Sequence, residues 1–188
     1  GKDGTLWLGT DVGLSRLDWA TKKVSTYIPD PKNPGSQTDN AVWRIQVDRE
    51  GQLWLAVQHG VFRFNPKTEQ FKRYLNDPAD RYSYSGKITR DVFMDSQGII
   101  WIGTDEGGLS VYDYENDRFY SFLHVEGRLG AISSNSIRRI YEDNSGDLWV
   151  GTYPSGVNFH DRSTAAITVY TRDADPKAGL MGDTVEAV

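Results

Sequence analysis

"GDLWVGT", residues 146–152, recurs with small changes as "GTLWLGT" at 4–10, "GQLWLAV" at 51–57 and "GIIWIGT" at 98–104. Each copy is centred on a tryptophan, and Trp7, Trp54, Trp101 and Trp149 are separated by 47, 47 and 48 residues. A period that regular marks a repeat architecture and takes precedence over any single motif. Three residues before the tryptophan stands a glycine in every copy (Gly4, Gly51, Gly98, Gly146). Six residues before it stands Asp48, Asp95 or Asp143, with Gly1 in that slot of the first copy.

Four short extended segments fit within one period. Segment a reads "VWRIQVD" (42–48), "ITRDVFMD" (88–95), "IRRIYED" (137–143) and, at the end of the chain, "TVEAV" (184–188). Segment b carries the tryptophan and is apolar on consecutive positions, as in "LWV" at 148–150. A run that short points to a strand covered on both faces. Segment c follows a glycine: "GLSRLD" (13–18), "GVFRFN" (60–65), "GLSVYD" (108–113) and "GVNFHD" (156–161). Segment d is "KVSTYI" (23–28), "QFKRYL" (70–75), "RFYSFL" (118–123) and "AITVY" (166–170). Between a and b, Asp-x-x-Gly supplies a carboxylate that bonds its own turn and a residue that tolerates positive φ. No stretch shows a convincing helical period.

Four-stranded antiparallel units of this length, with aromatic and glycine landmarks, are the blades of a β-propeller, which is all-β. One blade alone exposes two apolar faces, and only neighbouring blades cover them. The expectation is therefore one propeller region over 1–188, with each b-strand tryptophan filling the gap between blades. The order of segments lets "DTVEAV" at 183–188 complete the blade begun by "GTLWLGT"; the alternative is a piece of a larger propeller.

Composition narrows the function. With 26 acidic against 21 basic side chains the net charge is −5, and no run of Lys or Arg exceeds two, so a nucleic-acid partner is disfavoured. The absence of cysteine rules out disulfides, thiolate zinc sites and cysteine nucleophiles. No apolar stretch is long enough to span a bilayer as a helix, and the first residues lack a signal-peptide layout.

The pattern from "NSIRRIYEDNSGDLWVGT" (135–152), with "GIIWIGTDEGGLSVYD" (98–113) covering its second half, resembles the two-component regulator propeller repeat. The second copy departs from it, with Ala56-Val57 in place of Gly-Thr. The resemblance implies an extracytoplasmic or periplasmic sensor region of a bacterial membrane-anchored signalling protein, a hybrid histidine kinase or diguanylate cyclase. It further implies an oligosaccharide or other small polar ligand; the alternative is a structural or protein-docking propeller whose rim binds another polypeptide. A signal needs two arrangements of different affinity, which points to a homodimer, and the lack of a catalytic constellation favours binding over enzyme activity in this region. Fold by itself does not fix the ligand.

Other chemistries are weaker matches. The aspartates Asp48, Asp95 and Asp143 sit once per repeat at a turn and read as structural, together with Gly51, Gly98 and Gly146. They also resemble, one residue out of step, the aspartate box of sialidases, whose active site needs three converging arginines. Arg44, Arg90 and Arg138 fall on neighbouring a segments, but Arg44 is one place out of register. Streptogramin lyase-like propellers use a histidine; His59 and His124 fall on loops of one rim, and His160 on the opposite side. No calcium loop, phosphate-binding loop or metalloprotease motif occurs, and no cofactor is implied.

In a propeller the d–a and b–c loops open on one rim around the axis, where several blades each offer a side chain. The ligand-facing candidates from those loops are Asp11, Gln58, His59, Arg81, Tyr82, Tyr84, Asp105, Glu106, Arg128 and Tyr153. Trp43 and Arg90 on the a segments are further candidates to reach the channel. Tyrosine with carboxylates, amides and arginine is a mixture that stacks on sugar rings and bonds hydroxyls.

Overall fold

The computed structural model describes residues 5–30, 32, 40–164, 166–171 and 180. They form antiparallel sheets in sequence order. Blade one holds β1 (Thr5–Thr10), β2 (Gly13–Asp18) and β3 (Val24–Tyr27). Blade two holds β4 (Arg44–Val47), β5 (Leu53–Ala56), β6 (Val61–Asn65) and β7 (Gln70–Tyr74). Blade three holds β8 (Ile88–Met94), β9 (Ile100–Asp105), β10 (Leu109–Asp113) and β11 (Arg118–Phe122). Blade four holds β12 (Ser136–Glu142), β13 (Leu148–Tyr153), β14 (Val157–Asp161) and β15 (Ala166–Tyr170). The strands follow segments a to d to within two residues, in an all-β fold of propeller blades. The closing segment at 184–188 lies outside the described residues.

The repeated aspartates work as the turn chemistry requires. Asp48 Oδ1 accepts the main-chain N–H groups of Glu50 and Gln52, each at 2.9 Å, while Oδ2 accepts the Trp54 indole N–H at 2.8 Å. Asp95 holds Trp101 at 2.7 Å and Asp143 holds Trp149 at 2.8 Å in the same way. Gly51, Gly98 and Gly146 take φ values of 76°, 80° and 88°, a left-handed conformation that glycine adopts without cost. One carboxylate thus ties a turn to the tryptophan six residues later and fixes the indole's orientation.

That indole faces the next blade. Trp54 is fully buried and lies 5.5 Å from Tyr74, 4.6 Å from Tyr112 and 6.4 Å from Phe119 between ring centroids, so blade three covers blade two with aromatic rings. Trp7 meets Phe64 of blade two at 5.5 Å. Trp101 of blade three is only half-buried, as is Trp149 of blade four, which packs on Phe159 and Tyr170 of its own sheet. The expectation that every tryptophan is sealed between blades therefore holds fully for Trp54 alone among the four. Leu6 and Leu8 on β1 are more than 40% exposed, and they alternate with Trp7, which points towards blade two.

The a strands lie side by side, β4 against β8 and β8 against β12, and form the inner wall. Both β8 and β12 carry a bulge at the same repeat position. Thr89 pairs with Thr104 and Asp91 with Gly103, leaving Arg90 as the extra residue. Ile137 pairs with Thr152 and Arg139 with Gly151, leaving Arg138. A bulge re-aims the side chain of the inserted residue, here an arginine in both blades.

Candidate functional site at the inner rim

The loops predicted to share one rim do so. In blades one to three, main-chain hydrogen bonds join the end of the b strand, or the start of the following c strand, to the segment entering the next blade. They run from Val42 N–H to the Thr10 carbonyl (2.8 Å), from Thr89 N–H to Val57 (3.2 Å) and from Gly108 N–H to Asn135 (2.8 Å).

At this rim, on the inner wall, side chains of blades three and four converge on one carboxylate. Asp105, the last residue of β9, accepts from Arg90 through Oδ2 at 2.5 Å (Nη2) and 3.2 Å (Nε). Its Oδ1 accepts the Ser136 hydroxyl at 2.9 Å, and Arg138 Nη1 stands 3.9 Å from Oδ2. Each arginine also faces an aromatic ring: Arg90 lies 5.8 Å from the Trp43 centroid and Arg138 lies 4.9 Å from that of Tyr153. Trp43 is 46% and Tyr153 45% exposed, so both present ring surface to solvent. Trp43, Arg90 and Arg138 occupy the same repeat position, five residues before the turn aspartate. The cluster is one layer of the inner wall contributed by blades two, three and four.

Electrostatics fix this layer. Partial burial works against the charged form of Asp105, but hydrogen bonds from Arg90 and Ser136, with the charges of Arg90 and Arg138, outweigh it and hold the carboxyl below its usual range. One layer below, Asp91 is fully buried, accepts the Ile140 main-chain N–H at 2.9 Å and lies 2.8 Å from Arg44 Nε. There burial dominates over Ile140, Arg44 and Arg139 and pushes the carboxyl up. Arg44 therefore faces a different layer from Arg90 and Arg138, as its register predicts.

The sequence-predicted ligand residues fall into separate groups. Asp105 and Tyr153 belong to the inner-rim cluster, and Trp43 and Arg90 reach it. Asp11, Gln58, His59 and Glu106 sit on the b–c turns, with Gln58 partly buried and the other three exposed. Arg81 and Tyr82 belong to the outer side of blade three: Tyr82 packs on Tyr120 at 5.7 Å under Arg118 at 4.4 Å, and its carbonyl accepts from Phe119 of β11. Arg128 lies at a cleft between blades three and four. Tyr84 is corrected outright. It is 1% exposed, packs on Phe119 at 6.1 Å and shares a 2.8 Å hydrogen bond with the Thr89 hydroxyl, so it is a core residue and cannot face a ligand.

Two members of the cluster are missing from the sequence-derived set. Arg138 has a legible signal, since it stands at the repeat position of Arg90, whereas Ser136 has none. The loop histidine His124 turns its ring back on its own loop, where Nδ1–H donates to the Ile132 carbonyl at 2.7 Å. Among the described residues no group of three His, Cys, Asp or Glu is placed to hold a metal ion.

Comparison with known proteins agrees with the repeat. Residues 84–106 and 131–153 match the family model described as the two component regulator propeller. Those two stretches are similar to the two-component regulator propeller repeat. The matched stretches contain Arg90, Asp105, Ser136, Arg138 and Tyr153, so both include the inner-rim layer. Among solved structures, the extracellular domain of the hybrid two component system BT3049 from B. thetaiotaomicron aligns with a TM-score of 0.69 at 20% identity, over 98% of this chain and 29% of that one. The extracellular domain of BT4673 from the same organism aligns with a TM-score of 0.73 at 21% identity, over 97% of this chain and 23% of that one. Virginiamycin B lyase from Staphylococcus aureus aligns with a TM-score of 0.63 at 15% identity, over 95% and 55%. These likenesses establish the fold, and the chain spans less than a third of the length of the two extracellular domains. No curated protein matches the chain.

Proposed function

We propose that this propeller region is an extracytoplasmic ligand-sensing module of a bacterial membrane-anchored signal-transduction protein and is not itself an enzyme. Its ligand is a saccharide or another small polar molecule bound at the inner rim. The observation that carries the reading is the layer in which Arg90, Asp105 and Arg138 from two blades are flanked by the exposed rings of Trp43 and Tyr153. Guanidinium N–H groups and a carboxylate suit hydroxyls or acidic substituents, and flat aromatic faces suit the apolar face of a sugar ring. The extracellular two-component domains with the same fold support the location.

A signal passes only if the ligand binds two arrangements of the sensor with different affinity, so two geometries of a dimer are the natural output. Calorimetric titration with a panel of neutral and acidic oligosaccharides tests the site. A member that binds should lose affinity roughly tenfold in Tyr153→Ala or Arg138→Gln, as expected for loss of an aromatic anchor or a charged hydrogen bond. No binding across the panel, or binding indifferent to both substitutions, would count against the reading.

A further inference from the structure

The interfaces between blades are not filled alike. Between blades two and three, Trp54 is sealed by Tyr84 from the d–a loop and Tyr112 from the c strand, both buried. The same repeat positions between blades three and four hold Ile132 and His160. Two aromatic rings are thus replaced by an aliphatic side chain and an imidazole, and a cavity of about 550 Å³ opens in their place. That volume lies within the roughly 300–1,000 Å³ typical of small-molecule sites. The exposure of matched residues reports the same vacancy in ring volume: Phe122 is 49% exposed where its counterpart Tyr74 is 9% exposed.

We propose that this cleft binds a planar aromatic carboxylate. Its walls are Trp101 and Phe122, stacked with centroids 6.4 Å apart and planes at 29°, facing Leu148 and Val150 of the fourth blade. In the neighbouring interface an aromatic ring, Tyr112, packs edge-on against the equivalent tryptophan, so a planar guest here reproduces packing that the protein itself uses one blade earlier. The charged end follows from the lining. Arg128 and His160 line the cleft and no carboxylate does among the described lining residues. Arg128 is exposed, lies on a loop that lines the cleft and makes no ion pair among the described residues. The cleft is separate from the inner-rim layer and its ligand differs from the one proposed there.

The test is calorimetric titration of the whole chain with 2-naphthoate and with the neutral 2-naphthylmethanol, accompanied by methyl NMR of Ile132, Leu148 and Val150. Binding of 2-naphthoate with shifts at those methyls is expected. Ile132→Tyr with His160→Tyr restores the rings of the neighbouring interface and should abolish that binding. Arg128→Gln, a surface change that leaves packing intact, should weaken 2-naphthoate roughly tenfold and leave 2-naphthylmethanol unchanged. Absence of heat and of methyl shifts with 2-naphthoate overturns the site. Equal loss of both probes, or of neither, in Arg128→Gln overturns the assignment of an anion.

Discussion

Arg162 of the fourth blade places Nη2 2.6 Å from Oδ2 of Asp95 in the third, joining a c–d turn to the turn aspartate of the blade before it. Asp95 is 2% exposed and its Oδ2 also holds the Trp101 indole. Removing the arginine leaves a buried carboxylate with one fewer charged donor. Arg162→Ala should therefore lower stability by about 1.5–3 kcal/mol, read as a shift in the urea midpoint.

Tryptophans in identical repeat positions should differ in what they contribute. Trp54→Ala empties a fully buried aromatic site and should cost about 3–5 kcal/mol. Trp149→Ala removes a half-buried ring whose aromatic partners among the described residues, Phe159 and Tyr170, lie in its own sheet, so its cost should be clearly smaller. Parallel denaturant unfolding of the two variants measures the difference.

Tyr84 separates packing from binding. Tyr84→Phe loses only the hydrogen bond to Thr89 and should cost about 1 kcal/mol, while Tyr84→Ala should cost about 3–5 kcal/mol. Tyr84→Phe should leave affinity at the inner rim unchanged, measured with whichever saccharide the native chain binds.

Acid should weaken the inner rim. Because the Asp105 carboxyl is held below its ordinary value of 3.8, its stabilising contribution is present above that value. It is lost as pH falls through the folded-state value. Asp91 has the opposite sign: its raised carboxyl penalises the folded state at neutral pH, and the penalty is relieved as pH falls through that higher value. Melting temperatures below about pH 4 should therefore depend on pH less steeply in Asp105→Asn than in the native chain. The solvent-screened setting of Asp105 keeps the difference small.

The repeat made the architecture readable because each copy writes the same physical solution. Asp48, Asp95 and Asp143 do what an aspartate before a glycine turn must do, and segments a to d became strands because apolar and aromatic residues mark them in every copy. The rim site was partly readable. Topology puts Asp105 and Tyr153 at the correct loop ends, and the shared position of Arg90 and Arg138 was visible. The bulges that aim those arginines were not, because a bulge is set by pairing with the neighbouring strand and leaves no residue type as its mark. Tyr84 misled for a related reason: its loop reads as polar and exposed, yet its ring tucks under the loop against Phe119. The unequal interfaces were present in the sequence as Tyr84 against Ile132 and Tyr112 against His160, but the substitutions acquire meaning only once the facing walls are known.

The buried carboxylate of Asp91 has a mechanical consequence. It meets Arg44 from the blade before and the Ile140 main chain from the blade after, so three inner strands share one fastening point. A shear of the third blade against either neighbour strains a contact in the low-dielectric interior, where such contacts are stiff. Blades two to four therefore carry load as one block. A push on the layer of Arg90 and Arg138 is delivered to the whole block at once, and the compliance needed for movement has to come from joints beyond it.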